Sequence, residues 1–414
     1  MRLGDICSKI GSGATPRGGK EAYSTSGIPI IRSQNVLDWS FSSNGLAYLN
    51  DEQAKTLSNV EVHQGDILLN ITGDSVARAC IVPSDVIPAR VNQHVAILRP
   101  KEKANATFIL AWLQTNKDLL LKLASSGATR NALTKRMLEG LDINLPSIDI
   151  QNHIAELISL IQSKINLNIK LNGYLEELCE CLAAHESGTK TEIMQLCSLV
   201  SEKVPCNEAV LNTYVSTESL LSDKRGRQRA SSLPRTGKVT VYRSSDVLIS
   251  NIRPYFKKIW FADCDGTCSG DVLVFRAKNP LLAPYLYSIL HADSFFEFVM
   301  KGAKGTKMPR GDKRQMLTYQ AASSPRQDTI ASTTILTEQI AINDRENDKL
   351  TALRDVILPK LMSGEIDVSK IDLTQLNSHL VQRDSVRSKP VDDVFLDQSF
   401  SLRAGANICS FTCR

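Results

Sequence analysis

The stretch GDILLNITGD, residues 65–74, alternates polar and apolar positions up to a Gly-Asp, which predicts a half-buried strand running into a turn. A worn copy, SDVLISNIRP, stands at 245–254. The echo continues in the same order from both. VNQHVAILRP (91–100) faces CSGDVLVFRA (268–277), each with a polar start, an apolar strand and then an Arg. The apolar helix and Gly-containing basic loop of 108–135 face those of 285–313, and LPSIDIQNHIA (145–155) faces SSPRQDTIA (323–331). The chain is therefore written twice.

Each copy closes on a long helix. Ile154, Ile158, Ile161, Ile165, Asn168, Asn172, Leu175, Cys179 and Leu182 keep the four-and-three spacing of a coiled-coil seam. Leu336, Ile340, Asn343, Asn347, Leu350, Arg354, Ile357 and Leu361 keep it again. Asn168 and Asn172 align with Asn343 and Asn347 as helix-pairing positions, where a buried amide without its partner costs roughly 1–3 kcal/mol and so favours one register. The competing reading packs each helix on its own domain, with the asparagines facing water. A helix from 150 to 184 spans about 50 Å, enough to hold two domains apart. Pro146 and Pro325 precede the helices, where proline ends the preceding segment without harm. The predicted bounds are a first domain over 1–145, a central helical spacer over 146–187, a second domain over 188–324, a C-terminal helical spacer over 325–366 and a poorly ordered tail over 367–414. The fold class is α/β (α+β), with a pseudo-twofold internal repeat and antiparallel coiled-coil helices.

Composition narrows the picture. With 414 residues, 42% hydrophobic and 22% charged, the chain is long enough for two domains with real cores. It has neither the apolar run of a membrane span nor, in MRLGDICSKI, a signal peptide, so a cytoplasmic protein is expected. The ten cysteines form no C-x-x-C pairs, and free thiols are expected with no metal site. A net charge of +5 is compatible with a polyanionic partner. Its clusters, from Lys224 to Lys238 and from Lys301 to Arg314, read equally as solvated loops.

Catalytic motifs are missing. GSGATPRGGK (11–20) fails the phosphate-loop pattern twice, because Gly19 intervenes before Lys20 and Glu21 stands where the Mg²⁺-binding hydroxyl belongs. There is no amide-Pro-Pro-aromatic tetrad of a methyltransferase. The six histidines are dispersed, with no nucleophile in a recognisable setting. A chain that binds without reacting, with two similar domains and a rod, suits a partner offering two separated sites. In duplex DNA the major groove faces the same way about every 34–36 Å.

Over roughly residues 1–366 the order of motifs resembles the specificity subunit of type I restriction-modification systems. The motifs are LGDICSKIGSGATP, GDILLNITGD with VNQHVAILRP, LPSIDIQNHIAEL and ILPKLMSGEI. The resemblance implies a non-catalytic subunit with two target-recognition domains, each reading one half of a bipartite, asymmetric double-stranded DNA target. It implies as partners two methyltransferase (modification) subunits docked on the helices, and motor-nuclease (restriction) subunits joining them. S-adenosylmethionine, ATP and Mg²⁺ would belong to those partners, with no cofactor in this chain. SSPRQDTIA departs from the pattern, since only Arg326 separates Pro325 from Gln327.

Candidate DNA contacts follow. Phosphate contacts are expected from the basic loops, at Arg130, Lys135 and Arg136 and at Lys304, Lys307, Arg310 and Lys313. Base reading calls for flat, bidentate side chains, which Arg32, Gln34, Asn35, Arg90, Asn92, Gln93 and His94 offer in the first copy. Ser216, Thr217, Arg253, Tyr255 and Lys257 are their counterparts. Each reads equally as a loop polar group capping a strand. The rival to the whole reading is a non-catalytic coiled-coil adaptor that binds a protein target.

Overall fold

The computed structural model describes residues 1–16, 18–125 and 131–371. Two compact units divide the chain, one holding Met1–Leu160 with the chain from Asp355 and the other Ile161–Arg354. The first unit contains a sheet of Cys7–Ser12 (β1), Ile67–Asn70 (β2), Ala79–Ile81 (β3) and Val95–Pro100 (β4), in the order β1-β4-β2-β3. The second contains Cys197–Leu199 (β5), Val247–Ser250 (β6), Ile259–Phe261 (β7) and Val272–Ala277 (β8), in the order β5-β8-β6-β7. The repeat is thus a repeat of topology, and it extends to register: Ile67 faces Leu98 and Val247 faces Phe275.

One expectation needs correcting. All four residues of β2, and all four of β6, are buried, so neither strand is half-buried. Ile67 and Leu69 join a core with the helical residues Phe108, Ile109 and Leu113, while Leu68 joins another with Ile30, Val62 and Val91. Val247 and Ile249 are divided from Leu248 in the same way. A strand with a core on each face reads as an apolar run, and burying each such side chain contributes about 1.5–3 kcal/mol.

A buried ion pair fixes the end of each central strand. Asp66 accepts from Arg99 Nε at 2.7 Å and Nη2 at 2.8 Å, and from the His63 amide at 2.7 Å. Asp246 accepts from Arg276 Nε at 2.8 Å and Nη2 at 2.6 Å, and from the Arg243 amide at 2.8 Å. These bonds hold both guanidinium groups above their usual pKa range.

A second sheet in each unit shares three strands. Ile28–Ile31 runs parallel to Ala89–Val91, which pairs antiparallel with Glu61–Val62; Tyr214–Val215, Gly266–Cys268 and Lys238–Tyr242 repeat that arrangement. The fourth strand differs. Ala47–Leu49 adds beside Ile28–Ile31 in one unit, whereas Lys203–Pro205 adds beside Lys238–Tyr242, at the opposite edge, in the other.

Two helices of 37 residues, Ile148–Ala184 (α1) and Gln327–Ser363 (α2), complete the chain. Within the second unit they pair antiparallel, since Asn168 meets Asn347 and Asn172 meets Asn343. In the first unit Ile154, Leu157, Ile158, Leu358 and Leu361 enter the helical core. Buried Gln151 anchors the start of α1, accepting from the Asn105 amide at 2.9 Å and donating to the carbonyls of Pro146 and Lys103. Gln327 is exposed and does no such work. There Glu186 takes over, accepting from the Arg326 amide at 3.2 Å and from the Thr329 hydroxyl. The chain stays packed past residue 366, because Val368 lies in the first unit's core; the remainder of the expected tail, from 372, lies outside the described residues. The eight described cysteines are free. Among the described residues no helix is long and apolar enough to cross a membrane, and no His, Cys, Asp and Glu group is arranged to hold a metal.

Candidate nucleic-acid interface

Three segments converge in the first unit: the turn after β2, the residues that lead into β4, and the basic loop. The Ile71 amide donates to His94 O at 3.0 Å, and Leu133 and Gly73 join the turn to the basic loop through bonds of 2.8 and 3.2 Å. The GSGATP segment closes over them, with the Gly13 amide on Val95 O and the Ala14 amide on Val91 O. Only glycine fits at 13, since a Cβ would lie 1.9 Å from Val91 O. A polar chain runs across the surface from Thr15 to Gln93, on to His94 at 3.0 Å, and from His94 Nδ1 to Thr72 Oγ1 at 2.6 Å.

The second unit builds the same convergence. The Asn251 amide donates to Asp271 O at 2.8 Å, the Arg253 amide to Pro309 O at 2.8 Å and the Gly311 amide to Asn251 O at 3.3 Å. Thr134 caps Lys135–Glu139 in one unit and Asp312 caps Lys313–Leu317 in the other, which aligns the two basic segments. The turns themselves are equal in length and share their end bonds and the places of positive φ. Asn70 and Ser250 amides reach the carbonyls of Arg78 and Lys258, and positive φ falls at Gly73 and Ala77 and again at Arg253 and Lys257. Left-handed backbone costs roughly 1–2 kcal/mol at each residue with a Cβ, so the second turn, lacking a glycine, is the more strained.

Residues 1–177 match the family model of the type I restriction modification DNA specificity domain. Over this stretch the chain is similar to that family. A putative type I restriction enzyme MjaX specificity subunit of Methanocaldococcus jannaschii is 22% identical over 208 residues, 47% of this chain and 48% of that protein. The chain thus spans about half the length of the curated relative it matches. The crystal structure of a type I restriction-modification S subunit from M. genitalium is similar with a TM-score of 0.49 and 12% identity, over 87% of this chain and 95% of that one. The HsdS subunit from Thermoanaerobacter tengcongensis gives a TM-score of 0.34 and 15% identity, over 88% and 96%.

The first unit sorts the expected contacts by what they touch. Three of them are buried. Asn35 is fully buried, donating to the carbonyls of Ser42 and Asn44 and accepting from the Arg32 amide. Arg90 is buried against Glu61 at 3.0 Å and Ala54 O at 3.1 Å, and Asn92 caps the turn by accepting from the His94 amide. Asn35 and Arg90 thus have their flat polar groups bonded within the unit, while Asn92 uses its side-chain oxygen on the His94 amide. Arg32 is half-buried over the Tyr23 ring and donates to Gly45 O, as does exposed Gln34. Gln93 is exposed and His94 half-buried, both within the polar chain above. Lys135 and Arg136 are exposed, and Arg130 lies outside the described residues.

In the second unit Ser216 accepts from the amides of Glu218 and Ser219, as a turn residue does, and the Thr217 carbonyl accepts from Lys258. Burial holds that Lys258 ammonium below its usual range. Lys257 pairs with Asp293 at 3.0 Å, Lys304 with Asp312 at 3.3 Å and Arg310 with Asp271 at 3.1 Å; Lys304, Lys307, Arg310 and Lys313 are all exposed. Arg253 is half-buried and Tyr255 exposed. Sequence reasoning passed over Phe256; aligning the turns residue by residue sets it against Val76.

The asparagines lie in the second unit. Asn168 donates to Asn347 at 3.0 Å and to Glu346 at 2.9 Å; Asn172 accepts from Asn343 at 2.7 Å and donates to Asp344 at 2.7 Å. Burial, and after it the carboxylates of Glu176, Asp263 and Asp348, push the Asp344 carboxyl up to about 7. Alongside, buried His291 is bonded to Glu180 at 2.7 Å, and the two carboxylates facing it outweigh burial and raise its pKa.

Proposed function

We propose that this chain is the non-catalytic DNA-recognition subunit of a type I restriction-modification complex, with each domain reading one half of a bipartite, asymmetric duplex target. The observation that carries this reading is one scaffold built twice, down to the Asp66–Arg99 and Asp246–Arg276 pairs, beneath unlike exposed turns. A shared frame with different surface residues suits two readers of different half-sites. Lys135 and Arg136, with Lys304, Lys307, Arg310 and Lys313, supply the phosphate contacts, while Arg32, Gln34, Gln93, His94, Ser216, Thr217, Arg253, Tyr255 and Lys257 are the base-reading candidates that stand exposed or half-buried.

The helices set the half-site spacing and dock two methyltransferase subunits, which motor-nuclease subunits join; S-adenosylmethionine, ATP and Mg²⁺ serve those partners. Supporting this, α1 carries a second stripe at four-and-three spacing. Leu167, Leu171, Tyr174 and Leu178 are 40–56% exposed, and Ile335, Ile342 and Leu353 are exposed on α2. The test is duplex binding by the chain with its methyltransferase partner. A preference for one bipartite site that weakens steeply with salt is expected; binding without any such preference overturns the reading and leaves a protein-binding adaptor.

A further inference from the structure

Where the first turn runs Gly73-Asp74-Ser75-Val76-Ala77, the second runs Arg253-Pro254-Tyr255-Phe256-Lys257, with positive φ at the same two positions. Val76 is 3% exposed and belongs to the core. At the matching positions Tyr255 is 47% and Phe256 36% exposed, with ring centroids 4.6 Å apart and planes inclined at 51°. Nothing in the fold requires two adjacent aromatic rings in water at this point, because the other copy closes the same turn with Ser and Val. A short 3-10 turn, Pro254–Phe256, holds them out, flanked on each side by a left-handed residue.

The surroundings indicate the occupant. The Arg253 amide binds Pro309 O, and Ile252 bridges to Arg310, so the rings stand beside the loop carrying Lys304, Lys307 and Arg310. Met308, 49% exposed, precedes the proline that accepts that bond. Aromatic rings set among exposed cations match a polyanion with flat apolar faces, which is nucleic acid. A protein partner would have to match the same positive charge with carboxylates.

We propose that Tyr255 and Phe256 form an aromatic wedge that stacks against a base step in the half-site read by the second domain, a contact the first domain's turn does not make. The proposal rests on the DNA-recognition reading. Lys304, Lys307 and Arg310 hold the flanking phosphates while the rings partly unstack the step. Half-site preference then includes how readily that step opens, a form of readout that needs no hydrogen bond to a base edge.

The test uses the full chain in complex with its methyltransferase subunits, and duplexes carrying the motif found by methylation mapping. 2-Aminopurine is placed in turn at each second half-site position other than the methylated adenine. With the wild-type complex, fluorescence should rise at one step. Tyr255→Ser combined with Phe256→Val, which installs the first turn's residues, should abolish the rise and weaken binding about ten-fold, with the salt slope unchanged. Tyr255→Phe should retain both. Equal affinity and fluorescence in the double variant, while the wild type still selects the bipartite duplex, overturns the wedge and leaves the recognition reading intact. Loss of complex assembly in the double variant, seen by sedimentation, assigns the rings to a protein contact and overturns it too. Failure of the wild type to select any bipartite duplex removes the recognition reading itself.

Discussion

In the two central strands and their arginines the units differ by hardly more than the choice among aliphatic side chains, yet a few residues further on Ser75 and Val76 give way to Tyr255 and Phe256. The fourth strand of the second sheet moves to the other edge, Ala47–Leu49 in one unit and Lys203–Pro205 in the other. Difference is therefore concentrated at turns and sheet edges, while the strand with a core on both faces is held. A strand of that kind cannot change one residue without disturbing two cores, whereas an exposed turn can change freely if its backbone path survives.

The helices invite the same comparison. The portion in the first unit is apolar, with Ile154, Leu157, Ile158, Leu358 and Leu361 in the core. The portion in the second unit interrupts buried Ile161, Ile165 and Ile340 with a polar stretch, in which Asn168, Asn172, Asn343 and Asn347 are joined to Glu346 and Asp344. An apolar seam tolerates slippage, but an amide seam penalises it through every bond left unmade.

The largest expected effect tests the shared frame. Asp66→Ala and Asp246→Ala should each destabilise their own unit by about 3 kcal/mol, because each removes a buried carboxylate from a two-pronged arginine bond. Hydrogen exchange resolved by segment would measure the two losses separately, and clearly unequal losses would break the equivalence. Asn172→Leu should cost about 2 kcal/mol, since Asn343 and Asp344 both lose a partner. Ile158→Val, in the apolar portion, should cost only about 1 kcal/mol. A further effect depends on pH. A carboxyl whose folded pKa of about 7 lies above the ordinary 3.8 holds its proton more tightly when folded, so its contribution falls as pH rises between those values and stays lost above them. Asp344→Asn should therefore raise the melting temperature at pH 8 and leave it unchanged near pH 4. An equal gain at both would show that Asp344 does not titrate in the helix pair.

Much of this was legible in the sequence, for definite reasons. The repeat showed because GDILLN and SDVLIS keep Asp at the strand entrance and apolar residues behind it, and ion pair and core both depend on those types. The asparagines showed because coiled-coil spacing is a local pattern. Burial on both faces of β2 was missed, since an apolar run of three residues does not reveal what covers its second face. The burial of Arg90 and Asn35 was not legible because their partners, Glu61 and the Ser42–Asn44 loop, are set by tertiary packing. Phe256 was missed because it looks like a core residue until Val76, its buried equivalent, is set beside it.

The central claim, that one frame carries two unlike readers, is tested most directly by genome-wide methylation mapping in a host carrying either the wild-type chain or the Tyr255→Ser, Phe256→Val variant. The account predicts a motif of two different half-sites separated by a fixed gap, with the variant relaxing preference in one half and leaving the other unchanged. A single contiguous motif, or equal loss in both halves, would contradict it.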